Sequence, residues 1–383
     1  VNDATSILGT GLHCALGDDL DTAAAALLAG HQPLVTLELD ALHSPLRLPY
    51  LPIVGVELPP RERLYHLLDS AVAAALDTAD LSPAARARTG IFLASSSMDI
   101  SVSEARYRHA LTNEASANPL PLAGYGNLAA RLAARHGLKG PTYTFNTACS
   151  SAANALLYAQ RLIGAGTLDH ALVIGSEVHN GLSCYGFHSL MLYAEKTTRP
   201  FDLHRQGLVL GEAVAAAVLG RDSDHGPLDG LRLRGGATAC DTTSTTYTTP
   251  EHIAATVHAA LADAGATHDA VRGIKAHGTG TPSNDQAEAL GLRRVFGRTL
   301  PPLTSIKPQL GHTLGACGLI ETVLFMRTLA DRRMPATVGF NTPDPELGAQ
   351  PLTTPAPAPH GLYLLNYFGF GGNNSVLVVE RAA

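Results

Sequence analysis

Short apolar runs rich in β-branched residues alternate along this chain with longer runs whose apolar residues recur at helical spacing. Ser6-Ile7-Leu8-Gly9-Thr10-Gly11 reads as an opening strand, followed by a helix around Leu20 to Leu28. Residues 30–60 are rich in Pro and Leu and predict an irregular excursion. The pattern then predicts a helix over Leu64 to Ala79, a strand over Gly90 to Ala94 and a helix over Asn127 to His136. Thr142 to Phe145 reads as a short buried strand and Ser151 to Ile163 as a helix; Leu172 to Gly175 and Val214 to Leu219 read as further strands. After the polar stretch Arg221 to Pro227, a second set of strands is expected at Leu231 to Gly235, Ile274 to Ala276, Leu303 to Ile306, Tyr363 to Asn366 and Val376 to Glu380. Strands alternating with helices predict sheets covered on both faces. The polar stretch is the natural seam, dividing the chain into 1–222 and 223–383.

Composition narrows the class without naming a chemistry. A chain of 383 residues can hold two ordinary domains or one large duplicated one. Its 45% hydrophobic and 16% charged residues describe a globular protein with much buried surface. A net charge of −6 argues against a nucleic-acid binder, which carries a basic surplus. The five cysteines (Cys14, Cys149, Cys184, Cys240 and Cys317) are odd in number and show no paired spacing. With no leader pattern and no apolar run of membrane-spanning length, a reducing cytoplasm is expected.

Candidate chemistry gathers at the ends of the expected strands, where α/β sheets place it. Asn146-Thr147-Ala148-Cys149-Ser150-Ser151 sets one cysteine on a strand-to-helix turn. Unpaired N–H groups at the start of a helix favour a thiolate and predict a lowered pKa. A buried structural cysteine fits this stretch equally well when it is taken alone. Residues 271–283 run from an apolar strand into His277-Gly278-Thr279-Gly280-Thr281-Pro282. Residues 303–321 supply another strand, then Lys307, a turn, His312 and an apolar helix carrying Glu321. Asn366-Tyr367-Phe368-Gly369-Phe370-Gly371-Gly372-Asn373-Asn374 precedes the last strand.

In this order and spacing, the four motifs resemble the elongating β-ketoacyl-acyl-carrier-protein synthases, decarboxylating condensing enzymes with the thiolase fold. The resemblance runs from about Gly9 to Glu380 and is densest from Gly140 onward. It implies duplicated α/β halves in a five-layered αβαβα arrangement; no short tandem repeat shows the duplication directly. Residues 1–222 would carry the nucleophilic cysteine and 223–383 the His/Lys/His set. The implied activity is acyl transfer with decarboxylative Claisen condensation, joining a Cys-bound acyl chain to malonyl-carrier protein in fatty-acid or polyketide and polyene biosynthesis.

The same resemblance assigns roles. Cys149 would hold the acyl chain as a thioester, and His277 and His312 would donate to the enolate oxygen as neutral imidazoles. The backbone N–H groups of Cys149 and Phe370 would form a second oxyanion hole, with Gly369 and Gly371 allowing close approach. Lys307 would act by charge and Glu321 would balance it; without the motif, both read as solvated residues. Thr279 and Thr281 would hydrogen-bond the phosphopantetheine arm of the carrier protein, although Thr-Gly-Thr-Pro also caps many ordinary turns. Phe370 would gate the acyl pocket, and Thr198 to Asp202 with Gly207 to Glu212 would form its structural floor. Arg205, Arg61 and Arg63 are the candidates for docking the carrier's acidic helix, the last two reading equally well as solvated arginines. No cofactor is expected to be bound. No metal is expected either, because Cys184 with His179 or His188 lacks a second cysteine pair. The expected assembly is a homodimer, or a heterodimer with a related ketosynthase or chain-length factor.

Three departures fall in the first half. Ala94-Ser95-Ser96-Ser97 stands where a glycine-rich segment is common, Gln206 replaces a usual acidic residue, and Ala213 a usual glycine. A different class, a chain-length-factor-like partner subunit, is disfavoured because such partners usually lack the cysteine kept here. A degradative thiolase needs a second reactive cysteine in its C-terminal glycine loop, and Gly369 to Asn374 has none. An initiating synthase carries asparagine where His312 stands.

Overall fold

Ten strands form the frame of the protein. They are β1 (Thr5–Cys14), β2 (Gly90–Ala94), β3 (Thr142–Phe145), β4 (Ala171–Glu177), β5 (Ala213–Arg221), β6 (Leu231–Cys240), β7 (Val271–Lys275), β8 (Leu303–Thr304), β9 (Gly361–Phe368) and β10 (Asn373–Arg381). The computed structural model describes residues 4–40, 45–112, 124–221, 228 and 230–382. Across the sheet the order is β8-β7-β9-β10-β6-β1-β5-β4-β2-β3. The first half thus runs β3-β2-β4-β5-β1, and adding five to each label gives the second. Directions repeat as well. The β2 pairings with β3 and β4 are parallel, and the β5 pairings with β4 and β1 are antiparallel. The β7 pairings with β8 and β9 and the β10 pairings with β9 and β6 match them one for one. The duplication absent from the residue pattern is therefore plain in the topology. The halves meet edge to edge at the antiparallel pair Thr5↔Leu233.

The helices needed below are α1 (Leu20–Leu28), α2 (Pro60–Thr78), α3 (Ile100–Thr112), α4 (Asn127–His136), α5 (Ser151–Gly164), α6 (Gly181–Ser189), α7 (Pro250–Asp263), α8 (Pro282–Phe296) and α9 (Cys317–Ala330). Strand alternation sorts the side chains into layers. Ile91, Leu93, Leu172 and Ile174 point to one face, packing with Leu64 and Leu68 of α2 and Leu132 of α4. Phe92 and Val173 point to the other face, sharing a core with α5, α9 and Tyr363, Leu365 and Leu377 of the second half. Leu362, Leu364, Val376 and Val378 face α7 and α8. The result is five layers, with α5 of one half and α9 of the other in the middle. There the helices cross so closely that a Cβ on Gly318 would lie 2.2 Å from the Ala153 nitrogen.

Some local expectations change. β3 is an edge strand, half-buried or exposed along its length, not a buried one. The excursion at 30–60 contains strands Val35–Leu39 and Leu46–Leu51, paired with each other, and Leu210–Gly211 extends them. The expected seam at residues 222–227 lies outside the described residues. Among the described residues, no helix is long and apolar enough to cross a membrane.

Candidate active site

Cys149 sits on the turn between β3 and α5, as the local pattern requires. Ala148 before it holds a left-handed φ of 50°, rare for a residue with a side chain. This bend carries the cysteine off the strand end. Ser151 Oγ fixes the turn, accepting from Thr147 N–H at 2.9 Å and donating to Ala148 O at 2.6 Å. The expected lowering of the thiol pKa is not what the site produces. Burial pushes Cys149 up to about 11, against the pull of Lys307 and of the backbone N–H groups of Phe370 and Cys149 itself. Desolvation of the charged form wins over the helix terminus. Those two N–H groups nonetheless act on the sulfur, and they are the pair for which the motifs raise the expectation of an oxyanion hole. Gly369 permits the approach, since a Cβ there would lie 2.9 Å from Thr147 O.

His277 leaves the end of β7, and His312 follows the single helical turn Lys307–Leu310. Their rings meet edge to face, with centroids 5.3 Å apart. Both are buried, and burial, reinforced by the Lys307 cation, holds both well below the ordinary imidazole pKa. They are neutral at neutral pH. Leu314 N–H donates to His312 Nδ1 at 3.3 Å, which places that ring's proton on Nε2. His312 is fixed by its own backbone, its N–H donating to Val209 O at 2.7 Å.

Four buried charges that the sequence reading gave no role build the walls. Glu288 of α8 accepts from the N–H groups of His277 and Gly278 at 2.8 Å each. Asp285, one turn earlier, accepts from Phe201 N–H at 2.8 Å and Thr279 N–H at 3.1 Å. Glu177 at the end of β4 accepts from Ser95 Oγ at 2.8 Å, Ser97 N–H at 2.9 Å and Gly315 N–H at 3.0 Å. The serine run that stands in place of glycines is thus organised around one carboxylate. Lys275 is the fourth. It shares Glu321 with Lys307, whose Nζ lies 2.5 Å from Oε1 of that carboxylate. Lys307 and Glu321 are fully buried and paired, so neither is the solvated residue that isolated reading suggests. An Asp or Glu three residues after another at a helix start was the signal for Asp285 and Glu288.

Two cavities meet at Cys149, Phe187 and Phe370. The narrow one, about 50 Å³, is lined by His277, His312, Thr279, Thr281, Thr248 and Asn284, among others. Thr279 and Thr281 face each other with their hydroxyls 2.9 Å apart. The wide one, about 560 Å³, has Ser96, Met98, Tyr125, Leu128 and Leu314 in its wall. Phe370 stacks on Phe187 of α6, centroids 5.6 Å apart, across the junction. Among the described residues, no group of three His, Cys, Asp or Glu is set to hold a metal ion. Cys317 is buried and donates to Cys149 O at 3.0 Å, a packing role.

The docking arginines need correction. Arg205 lies 2.7 Å from Asp344 with a side chain only 10% exposed, so it braces the floor of the site. Arg63 is held by Glu212 at 2.6 Å and by the carbonyls of Val56 and Ile53. Arg61 alone of the three is exposed, 5.9 Å from the Tyr65 ring centre.

The N-terminal domain model of the beta-ketoacyl synthases matches residues 59–225, and the C-terminal domain model matches residues 232–341. Nodulation protein E of Rhizobium sp. (strain N33) is 30% identical over 398 aligned residues, covering 98% of each chain. The 3-oxoacyl-[acyl-carrier-protein] synthase 2 of Vibrio cholerae serotype O1 is 29% identical over 272 residues, 66% of this chain and 66% of that protein. A beta-ketoacyl synthase from Burkholderia phymatum STM815 superposes with a TM-score of 0.87 at 27% identity, over 100% of both chains. A structure of a ketosynthase in complex with its chain length factor, from Xenorhabdus doucetiae, gives 0.86 at 27% identity, over 99% of this chain and 98% of that one.

Proposed function

The chain belongs to the β-ketoacyl synthase family, and we propose that it joins a Cys149-bound acyl chain to a malonyl unit on acyl carrier protein. One observation carries this reading: Cys149 lies where a narrow channel lined by two neutral histidines meets a wide cavity. The channel suits a phosphopantetheine arm, with Thr279 and Thr281 to bond it, and the cavity suits an acyl chain. No cofactor is needed beyond that arm, which arrives with the substrate.

Acyl transfer comes first. The Cys149 sulfur adds to the carrier thioester carbon, its proton passes to the departing pantetheine sulfur, and the balance of protons is unchanged. The N–H groups of Cys149 and Phe370 stabilise the tetrahedral oxygen. Malonyl-carrier protein then enters the channel and loses CO₂, leaving an enolate whose oxygen accepts from His277 and His312. Neutral rings donate without being consumed as acids, and such fixed donors are worth several kcal/mol in a dry site. The enolate carbon attacks the Cys149 thioester, the β-ketoacyl carrier product leaves, and the released thiolate regains a proton from solvent.

The intact Cys149, His277, His312 and Lys307 set favours a catalytic subunit over a chain-length-factor-like partner. A homodimer or a heterodimer with a related subunit remains part of the reading. All five cysteines are free, which supports a reducing, cytoplasmic setting. The test is purified protein given acyl- and malonyl-carrier protein, with products read by mass spectrometry, alone and with candidate partner subunits. A product two carbons longer, bearing a β-ketone, is expected. No product in any combination, with folded protein, contradicts the reading.

A further inference from the structure

We propose that Lys275 is a positioning residue: by sharing Glu321 with Lys307, it leaves one buried positive charge beside Cys149 that a lone lysine–glutamate pair would cancel. Lys275, Lys307 and Glu321 are exposed by 0%, 1% and 1%. Burial pulls the Lys275 ammonium down to about 8 against the opposing pull of Glu321, so below pH 8 two cations and one anion make a net charge of one, enclosed by protein. Burying an uncompensated charge is expensive, because the protein interior solvates it less well than water does. An unbalanced trio at a site boundary therefore points to use, not to stability.

The geometry aims that charge at the nucleophile. Lys275 Nζ is held by Glu321, by Asn366 O at 3.2 Å and by the Tyr367 ring, 3.8 Å from its centre. These three contacts hold it at Oε2 of the carboxylate, while Lys307 takes Oε1. Lys307 in turn acts on Cys149 and lowers the cost of its thiolate. If Glu321 served Lys307 alone, the pair would present little field. With Lys275 taking the other oxygen, the Lys307 charge is left partly unspent. The groups facing the trio are Cys317 of α9, Tyr367 of β9, His277 and His312, and the Cys149 turn; Glu177 opposes it from β4. Among the described residues, Glu321 is the carboxylate that acts most strongly on both lysines. The inference rests on Cys149 being the acyl acceptor, but its test needs no turnover, so each can fail without the other.

The test is the pH profile of Cys149 alkylation by iodoacetamide, followed by peptide mass spectrometry so that exposed Cys240 is counted apart. Lys275→Met should move the profile to higher pH, lowering alkylation at pH 7, where Lys275 is charged, by about tenfold, the equivalent of one pKa unit. Adding Glu321→Gln to Lys275→Met leaves Lys307 uncancelled and should return the profile toward wild type. That reversal is what a merely structural role would not produce. An unchanged profile in Lys275→Met, or a loss that Glu321→Gln does not reverse, overturns the proposal. Lys275→Gln keeps a donor for Asn366 O and is held to the same outcomes if the Met variant does not fold.

Discussion

At the scale of single residues, the site turns on groups whose charge state is set by burial. Cys149 rests as a thiol and His277 and His312 rest as neutral rings, because desolvation outweighs every local attraction. Replacing His277 or His312 with Ala should lower the condensation rate by about a hundredfold or more, as loss of one oxyanion donor does. Self-acylation should be spared by comparison, because the proposed reaction has the rings serve the enolate and not the first tetrahedral oxygen. Single-turnover acylation and malonyl decarboxylation, measured separately, check this; equal losses in both would contradict it. Arg205 carries a different expectation. Arg205→Glu sets two acids side by side in a nearly closed pocket and should destabilise the fold by about 3–5 kcal/mol, the range for breaking a buried pair. Its activity should fall equally on carrier-bound and small pantetheine substrates, whereas a loss confined to the carrier would make it a docking residue. The sequence showed Cys149, His277, His312 and Lys307 because each stands in a motif at a strand end. It hid Lys275 and Glu177 because a charged residue on its own reads as solvated surface, and Asp285 and Glu288 because an acidic pair at a helix start reads the same way unless the fold encloses it. Only the fold shows that these four are enclosed.

At the scale of elements, α8 and α9 do the positioning. Asp285 at the start of α8 binds the loop after His277, and burial pushes its pKa up to about 6 from an ordinary 3.8. A carboxyl with a raised folded-state pKa holds its proton longer in the folded chain. Its contribution to stability is therefore full below 3.8 and is lost as pH rises through 6. Asp285→Asn does not titrate, so the stability gap between wild type and this variant should narrow from pH 4 to pH 7. Denaturant unfolding at the two pH values measures it, and a constant or widening gap would show that the carboxyl is not protonated in the fold. Gly318 of α9 abuts Ala153 of α5, and Gly318→Ala should cost about 1–3 kcal/mol by overpacking. Most strands and the helices α1, α4 and α5 were legible in the sequence, since each carries a clear period. The hairpin at 35–51 was not, because its second strand pairs with Leu210–Gly211, far along the chain. Helix α6 contains two glycines, Gly181 and Gly186, and buries only Gly181 and Cys184, so no apolar stripe announced it.

At the scale of the whole molecule, two halves with one strand order enclose a common core. Residues of α5 and α9 pack in the same cluster as strands from both halves of the sheet. The halves should therefore unfold together. Calorimetry and denaturant curves are expected to show one transition, and two resolved transitions would mean that the halves are separate folding units. Leu324→Ala in α9 should cost about 2–5 kcal/mol as a cavity in that shared core. The duplication could not be read from the residues, because the halves keep a common topology with unlike side chains. All of this architecture serves one thioester at the centre. Intact mass after incubation with an acyl-carrier donor tests that claim most directly. One added acyl group is predicted on the wild type and none on Cys149→Ala, with Cys14, Cys184, Cys240 and Cys317 unmodified; undiminished acylation of Cys149→Ala would contradict it.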